Sequence, residues 1–193
     1  SVTAVVDGKL SVSAYLDGVA GAWDDYRSRG GVDIDQIDWF CHHQPFTKMA
    51  VKAHRALGQH VGVELDPELV TATTGYNRRI GNSYTASLYI ALAALLDGEN
   101  DLTGSRIGLF SYGSGSVSEF FTLVVQPGYR EATRGAETEA ILAARTAVDV
   151  PTYRELHDAT HRDSTVDVAV AAESPGPFHF AGLAGRARRY TRD

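Results

Sequence analysis

Two adjacent histidines end a short apolar run and are the residues of this sequence best suited to acid–base chemistry. The segment Ile37–His42 is apolar enough for a buried strand, and Pro45 follows His43 after one residue. A histidine at a strand end is held firmly beside the start of the next helix, where it can transfer a proton or donate a hydrogen bond. Because side chains alternate along a strand, only one of the two rings faces a pocket, and the pattern does not decide which.

Cys41 precedes His43 by two residues and would share its face of the strand. A Cys–His pair can perform nucleophilic catalysis. A single cysteine in a buried strand is more often a small core residue, and we favour that role for Cys41. The spacing of histidines, cysteines and carboxylates resembles no metal site, so no metal is expected.

A basic face follows the histidine pair. Apolar residues recur at helical spacing from Phe46 to Leu57, and Thr47 is a candidate N-cap. Lys48, Lys52 and Arg55 lie four and three residues apart and therefore share one side of this helix. The three cations would bind the phosphates of a large anionic ligand, or they form an ordinary solvated face.

Asn82 lies between a predicted loop at residues 75–81 and a predicted helix at residues 83–96. Its amide either donates a hydrogen bond to a carbonyl or caps the helix. That helix is apolar on nearly every side, which is typical of burial in a core, and it is too short for a comfortable membrane crossing.

Ser114 lies in a glycine- and serine-rich turn, residues 111–116, between two predicted strands at residues 105–110 and 117–125. Ser111 occupies the place of the first glycine of a G-x-S-x-G nucleophile elbow, so Ser114 is not expected to be a nucleophile. The glycines allow close approach of the backbone to a ligand, and Ser114 is expected to contribute hydrogen bonds.

Strands that alternate with helices, one of them wholly apolar, favour a layered α/β fold, and the hairpin adds an antiparallel pair. We therefore predict a mixed sheet in a single domain spanning residues 1–193. The net charge of -6 offers no attraction for nucleic acid or an anionic membrane, and a single cysteine suits a reducing compartment. The expected location is the cytoplasm. The sequence opens without methionine, which we interpret as a sign of a fragment or a processed piece.

Taken together, these segments resemble 3-hydroxy-3-methylglutaryl-CoA synthase. Residues 43–49 (HQPFTKM) are similar to the family's H-x-P-F-x-K-M segment. Residues 76–87 (YNRRIGNSYTAS) are similar to its Y-N-x-x-x-G-N-x-Y-T-x-S loop and buried helix. Residues 108–121 carry G-L-F-S-Y-G-S-G followed by E-F-F, and residues 178–190 resemble its terminal strand and basic tail.

The resemblance implies a thiolase-type layered fold, of which this chain is the C-terminal half. It implies a Claisen-like condensation of an enzyme-bound acetyl group with acetoacetyl-CoA, without a cofactor. His43 matches the histidine that polarises the acetoacetyl ketone, and Asn82 and Ser114 match polar groups around the acyl chain. Lys48 and Lys52 match basic positions near the CoA phosphates.

The resemblance also places the acetyl-carrying cysteine and the general-base glutamate on the N-terminal half, to which Cys41 does not belong. The expected partners are that half, acetyl-CoA and acetoacetyl-CoA, and a second copy of the completed enzyme in a homodimer. His42 departs from the aromatic residue often found at its position. Two alternatives remain: a polyketide β-branching synthase that takes acyl groups from an acyl carrier protein, and a non-catalytic partner subunit.

Overall fold

The computed structural model describes residues 7–113, 115–158, 165–171 and 177–192. The chain divides into two compact units, with the boundary between Ala144 and Arg145. Within the described ranges, no helix combines the length and the apolar character that a membrane crossing requires.

The first unit alternates strands and helices. Its strands are β1 (Trp39–His42), β2 (Arg106–Gly113) and β3 (Val117–Val124). Its helices are α1 (Gly8–Ser28), α2 (Thr47–Val61), α3 (Glu68–Thr71), α4 (Gly75–Ile80), α5 (Ala86–Leu96) and α6 (Gly135–Ala143). Among the described residues of this unit, 3₁₀ turns lie at Ile34–Gln36, Ala72–Thr74 and Tyr129–Glu131.

The sheet of this unit has the order β1-β2-β3 and is mixed. Strand β1 runs parallel to β2 with Cys41 opposite Leu109, and β2 runs antiparallel to β3 with Phe110 opposite Phe120. Gly108 permits close packing across the sheet, because an added Cβ would lie 2.8 Å from the Phe120 ring. The predicted mixed sheet is confirmed.

Each face of the sheet is covered by helices, which gives three layers. One face packs against α1 and α2 around Tyr15, Phe40 and Phe110. The other packs against α5 around Cys41, Leu88 and Leu109. Alternation along β1 and β2 sends successive side chains into opposite layers, which is the physical basis of the α/β/α arrangement.

Three local predictions in this unit are wrong. Residues 75–80 form helix α4 rather than a loop, since Tyr76 and Asn77 are buried there and bond to the α5 region. Helix α5 begins at Ala86 rather than at residue 83, because Tyr84 adopts a left-handed backbone with φ 54°. Thr47 is the first residue of α2 and not its N-cap.

The second unit contains helix α7 (Val150–Asp158) and an antiparallel sheet. Its strands are β4 (Val168–Ala169), β5 (Phe178–Ala184) and β6 (Ala187–Arg192), in the order β4-β5-β6. The predicted terminal strand is present as β5, and the basic tail forms its hairpin partner β6.

Candidate active site

His43 follows the last residue of β1 and is pinned to the sheet through its backbone. Its N–H donates to Phe110 O at 2.9 Å, which extends the pairing with β2 by one residue. Its carbonyl accepts a 2.6 Å hydrogen bond from the Tyr15 hydroxyl of α1. Pro45 follows after one residue, so the chain turns immediately into α2. The sequence therefore places this imidazole where the strand ends and the next helix begins.

The ring of His43 is held from the opposite layer by Ser87 in the first turn of α5. Ser87 Oγ lies 3.1 Å from His43 Nδ1, and the same oxygen accepts a 2.8 Å hydrogen bond from Gln44 N–H. Ser87 is itself fixed, since its carbonyl accepts a 2.8 Å hydrogen bond from the Asn77 side chain. With Nδ1 engaged, Nε2 is the ring nitrogen available to a molecule beside His43.

Burial sets the charge of His43. Only 7% of its surface is exposed, and removal from water penalises the imidazolium, so the pKa of His43 is lowered from its ordinary value. The ring is consequently neutral near pH 7. A neutral imidazole carries one N–H, which makes it a hydrogen-bond donor on one side and an acceptor on the other.

A cavity of about 540 Å³ opens beside His43. This volume lies within the roughly 300–1,000 Å³ typical of small-molecule sites. Apolar and aromatic side chains dominate its walls, which come from α1, the β1–α2 turn, the start of α2, the segment before α5 and the end of β2: Val12, Tyr15, Pro45, Phe46, Met49, Tyr84 and Tyr112. The described lining includes neither a carboxylate nor a thiol, so this wall offers hydrogen bonds but no strong nucleophile or base.

Asn82 lies on the same cavity and is exposed. Its Oδ1 accepts a 2.9 Å hydrogen bond from Tyr84 N–H, which orients the side chain and leaves the Nδ2 amide as the end that can donate. The structure gives Asn82 no capping role, since α5 begins four residues later and Thr85 precedes its first residue. The geometry thus agrees with a donor to a bound carbonyl.

In the described part of the structure, the other predicted site residues do not line the cavity. Ser114 lies outside the described residues, although its neighbours Gly113 and Gly115 line the cavity. Lys48 and Lys52 are exposed on α2 and are absent from the lining. Their assignment to phosphate binding stays a prediction.

Cys41 and His42 point into the two layers beside the sheet. Cys41 is fully buried in the α5 cluster, and burial raises the pKa of its thiol, which makes thiolate chemistry unfavourable. His42 packs on the other face, parallel to the Phe40 ring at 6.2 Å and against His54 at 5.7 Å. The structure thereby makes His43, and not His42, the cavity histidine.

Sequence reasoning missed Ser87, Tyr15 and Tyr112. Tyr112 and Tyr15 place their rings 6.2 Å from the His43 ring and line the cavity with it. Their partners are distant in the chain, so no local pattern reports them. Ser87 did carry a signal: it is a small polar residue within an otherwise apolar helix, where burial would demand a hydrogen-bond partner.

Comparison with known proteins gives consistent matches. The family model described as "Hydroxymethylglutaryl-coenzyme A synthase C terminal" matches residues 58–163. A hydroxymethylglutaryl-CoA synthase of Enterococcus faecalis is 37% identical over 173 residues, which cover 88% of this chain and 45% of that protein. A polyketide biosynthesis 3-hydroxy-3-methylglutaryl-ACP synthase, PksG of Bacillus subtilis (strain 168), is 33% identical over 159 residues, 78% of this chain and 38% of that protein.

Structural similarity extends over the whole chain. A crystal structure of HMG-CoA synthase complexed with CoA superposes with a TM-score of 0.84 at 29% sequence identity, covering 100% of this chain and 51% of that one. The chain therefore spans about half the length of the proteins it resembles. The thiolase-like layered α/β fold expected from the sequence is confirmed by this match.

Proposed function

The chain belongs to the hydroxymethylglutaryl-CoA synthase family, and on that premise we propose that it forms the ketone-binding wall of an enzyme that makes HMG-CoA. The reaction is a Claisen-like condensation between an enzyme-bound acetyl group and acetoacetyl-CoA, after which water hydrolyses the thioester that joins the product to the enzyme. The observation that carries the proposal is His43, held by Ser87 through Nδ1 at the wall of an apolar cavity of about 540 Å³.

His43 acts on the oxygen of the ketone that is attacked. When the enolate of the bound acetyl group adds to that carbon, the carbonyl π electrons move to oxygen and an alkoxide develops. A hydrogen bond from His43 Nε2 to this oxygen strengthens as the charge grows, so it stabilises the transition state more than the substrate. The apolar side chains of the walls lower the local polarity around this hydrogen bond, which increases its strength.

Asn82 and the two lysines complete the proposed substrate contacts. The Asn82 amide, oriented by its bond to Tyr84, donates to a carbonyl of the acyl chain. Ser114 is proposed to contribute a hydrogen bond to the acyl chain. Lys48 and Lys52 attract the CoA phosphates from the exposed side of α2.

The nucleophile and the base come from another part of the completed enzyme. The described cavity wall has no thiol and no carboxylate, and Cys41 is buried away from it. We propose that the N-terminal half of the enzyme supplies both groups, and that the completed enzyme works without a cofactor as a cytoplasmic homodimer. The condensation is redox-neutral, so the proposed chemistry needs no electron carrier.

The decisive test separates acetyl transfer from condensation. In the completed enzyme, His43→Ala should lower kcat/KM for condensation by about 100- to 1,000-fold, the cost of removing one donor to a developing oxyanion. Acetylation of the nucleophilic cysteine, followed by mass spectrometry, should change little. His60→Ala is a matched control, because His60 lies on α2 without lining the cavity. Normal condensation by His43→Ala would refute the proposal.

A second candidate is an HMG synthase of polyketide β-branching. The similarity to the PksG protein favours it, since that relative is named as an HMG-ACP synthase. The two are distinguished by kinetics with acetoacetyl groups carried on CoA or on an acyl carrier protein. A much larger kcat/KM for the carrier-bound substrate would select the second candidate.

A further inference from the structure

We propose that Ser87 is a positioning residue that selects the tautomer of His43, placing the ring hydrogen on Nε2 and aiming it at the substrate. This inference rests on the proposed function for its purpose, but its structural claim concerns only two side chains of this chain. It assigns a task to a buried polar residue in the apolar helix α5.

The hydroxyl of Ser87 has one hydrogen to donate and two lone pairs to accept with. The Gln44 N–H donates to Ser87 Oγ at 2.8 Å and occupies one lone pair. The hydroxyl hydrogen then needs an acceptor, and His43 Nδ1 lies 3.1 Å away. Among the described residues, no other acceptor contacts this oxygen. The satisfied arrangement therefore has the serine donating to an unprotonated Nδ1, with the ring hydrogen on Nε2.

The opposite tautomer would leave the serine hydrogen without a partner. If Nδ1 carried the hydrogen, it would donate to Oγ, and the hydroxyl hydrogen would have no described acceptor. Ser87 is fully buried, so water does not easily compensate. One unmet buried donor corresponds to roughly 5- to 150-fold in the tautomer equilibrium, in favour of the Nε2–H form.

Further hydrogen bonds hold the backbones of Ser87 and His43, which helps to keep the two side chains in contact. The Ser87 N–H donates to Tyr84 O at 3.0 Å, and the Ser87 carbonyl accepts from the Asn77 side chain at 2.8 Å. The His43 carbonyl accepts from the Tyr15 hydroxyl at 2.6 Å. These bonds fix the backbones of both residues, and turning the Ser87 side chain away would also break the buried bond that Gln44 N–H donates to its hydroxyl.

The selected tautomer is the one that the proposed reaction requires. An Nε2–H donates to a ketone oxygen and to the alkoxide that follows. The other tautomer would present an Nε2 lone pair to the same oxygen, and two lone pairs repel. Ser87 would thus control what fraction of His43 is competent, without touching the substrate itself.

The tautomer can be measured directly by NMR on the chain labelled with ¹⁵N-histidine. Two-bond ¹H–¹⁵N correlations distinguish a protonated from an unprotonated ring nitrogen, and the spectrum of His43→Gln identifies the His43 signals. The wild type should show the Nε2–H form near neutral pH. A wild-type His43 in the Nδ1–H form would overturn the inference without any variant of Ser87.

Three variants test the cause. Ser87→Ala should shift His43 toward a mixture of tautomers, and Ser87→Thr, which keeps the hydroxyl, should restore the Nε2–H form. Thr73→Val is a matched control, because it removes a buried hydroxyl whose one hydrogen bond within the described residues goes to Val70 O. Unchanged His43 signals in Ser87→Ala would overturn the inference.

Activity in the completed enzyme gives an independent measurement. Ser87→Ala should lower kcat for condensation in proportion to the lost Nε2–H fraction, about 2-fold for an equal mixture of tautomers, with KM and cysteine acetylation nearly unchanged and with recovery in Ser87→Thr. If His43→Ala condenses normally while Ser87→Ala still changes the tautomer, the proposed function fails and the control by Ser87 stands. If His43→Ala is inactive while Ser87→Ala keeps both tautomer and kcat, only the inference about Ser87 fails.

Discussion

Replacing His42 by phenylalanine should make the folded chain less sensitive to acid. His42 is fully buried, and neither of its ring nitrogens has a hydrogen-bond partner among the residues that the structure describes. Burial, with a smaller contribution from the neighbouring His54, lowers the pKa of His42 from 6.5 to about 3. The ring packs parallel to Phe40 at 6.2 Å, so a phenyl ring suits the same space.

The pH window follows from the direction of that shift. The unfolded chain binds a proton at His42 below about pH 6.5, and the folded chain does so only near pH 3. Between these values unfolding takes up a proton, so the free energy of unfolding decreases as the pH falls. Compared with neutral pH, the free energy of unfolding at pH 5 is lower by about 2 kcal/mol. This figure depends only on the pKa of His42 in the unfolded chain, as long as its pKa in the folded chain stays well below 5.

Urea unfolding at pH 7.5 and pH 5, followed by tryptophan fluorescence, measures this difference. Trp23 is buried in the same cluster of the core as Phe40, so its fluorescence reports the unfolding of that cluster. Between pH 7.5 and pH 5, the free energy of unfolding of the wild type should decrease by about 2 kcal/mol more than that of His42→Phe. At pH 7.5 the variant should be at least as stable as the wild type, because two unpaired buried nitrogens are removed.

A non-titrating variant separates this effect from general damage to the core. Leu57→Ala, in the same cluster, should lower the free energy of unfolding by roughly 2–5 kcal/mol at both pH values, without changing the pH dependence. His43 and His54 also have lowered pKa values and contribute acid sensitivity to all these proteins. Parallel pH profiles of the wild type and His42→Phe would contradict the reasoning.

Two further predictions concern other residues. Replacing both Lys48 and Lys52 by alanine in the completed enzyme should raise KM for the CoA thioester about 2- to 30-fold with little change in kcat, because each exposed charge contributes roughly 0.2–1 kcal/mol to binding. The increase in KM should be smaller at high salt, which screens exposed charges. An unchanged KM would show that both lysines belong to an ordinary solvated face. Cys41 should react with Ellman's reagent only when the chain is unfolded, since the thiol is fully buried with a raised pKa, and rapid labelling of the native chain would refute this.

The sheet and its main helices could be predicted because their signals are local. Strand β1 and helix α5 are apolar runs of the right length, and α2 keeps a helical period in its apolar residues. Helix α4 could not be predicted in this way. Its sequence GYNRRI starts with glycine and has little apolar character, and the buried contacts of Tyr76 and Asn77 with distant residues stabilise the helix.

The same distinction runs through the candidate site. A strand end followed by a proline places His43 beside a helix start, and this can be deduced from neighbouring residues. The groups that set the properties of His43 are far away in the chain: Tyr15 precedes it by 28 residues and Ser87 follows it by 44. Only the packing of α1 and α5 on opposite faces of the sheet brings them together.

A single serine in an otherwise apolar helix is nevertheless informative at the level of sequence. A hydroxyl on the core side of α5 is costly unless it is hydrogen-bonded, so its presence predicts a buried partner. The residues next to Ser87 do not identify that partner. A histidine at a strand end is a natural candidate, because a hydrogen bond to one ring nitrogen determines which of the two carries the hydrogen. The position of Ser87 therefore marks where the protein would determine whether His43 donates or accepts a hydrogen bond. In the proposed reaction, that choice decides whether His43 can stabilise an oxyanion.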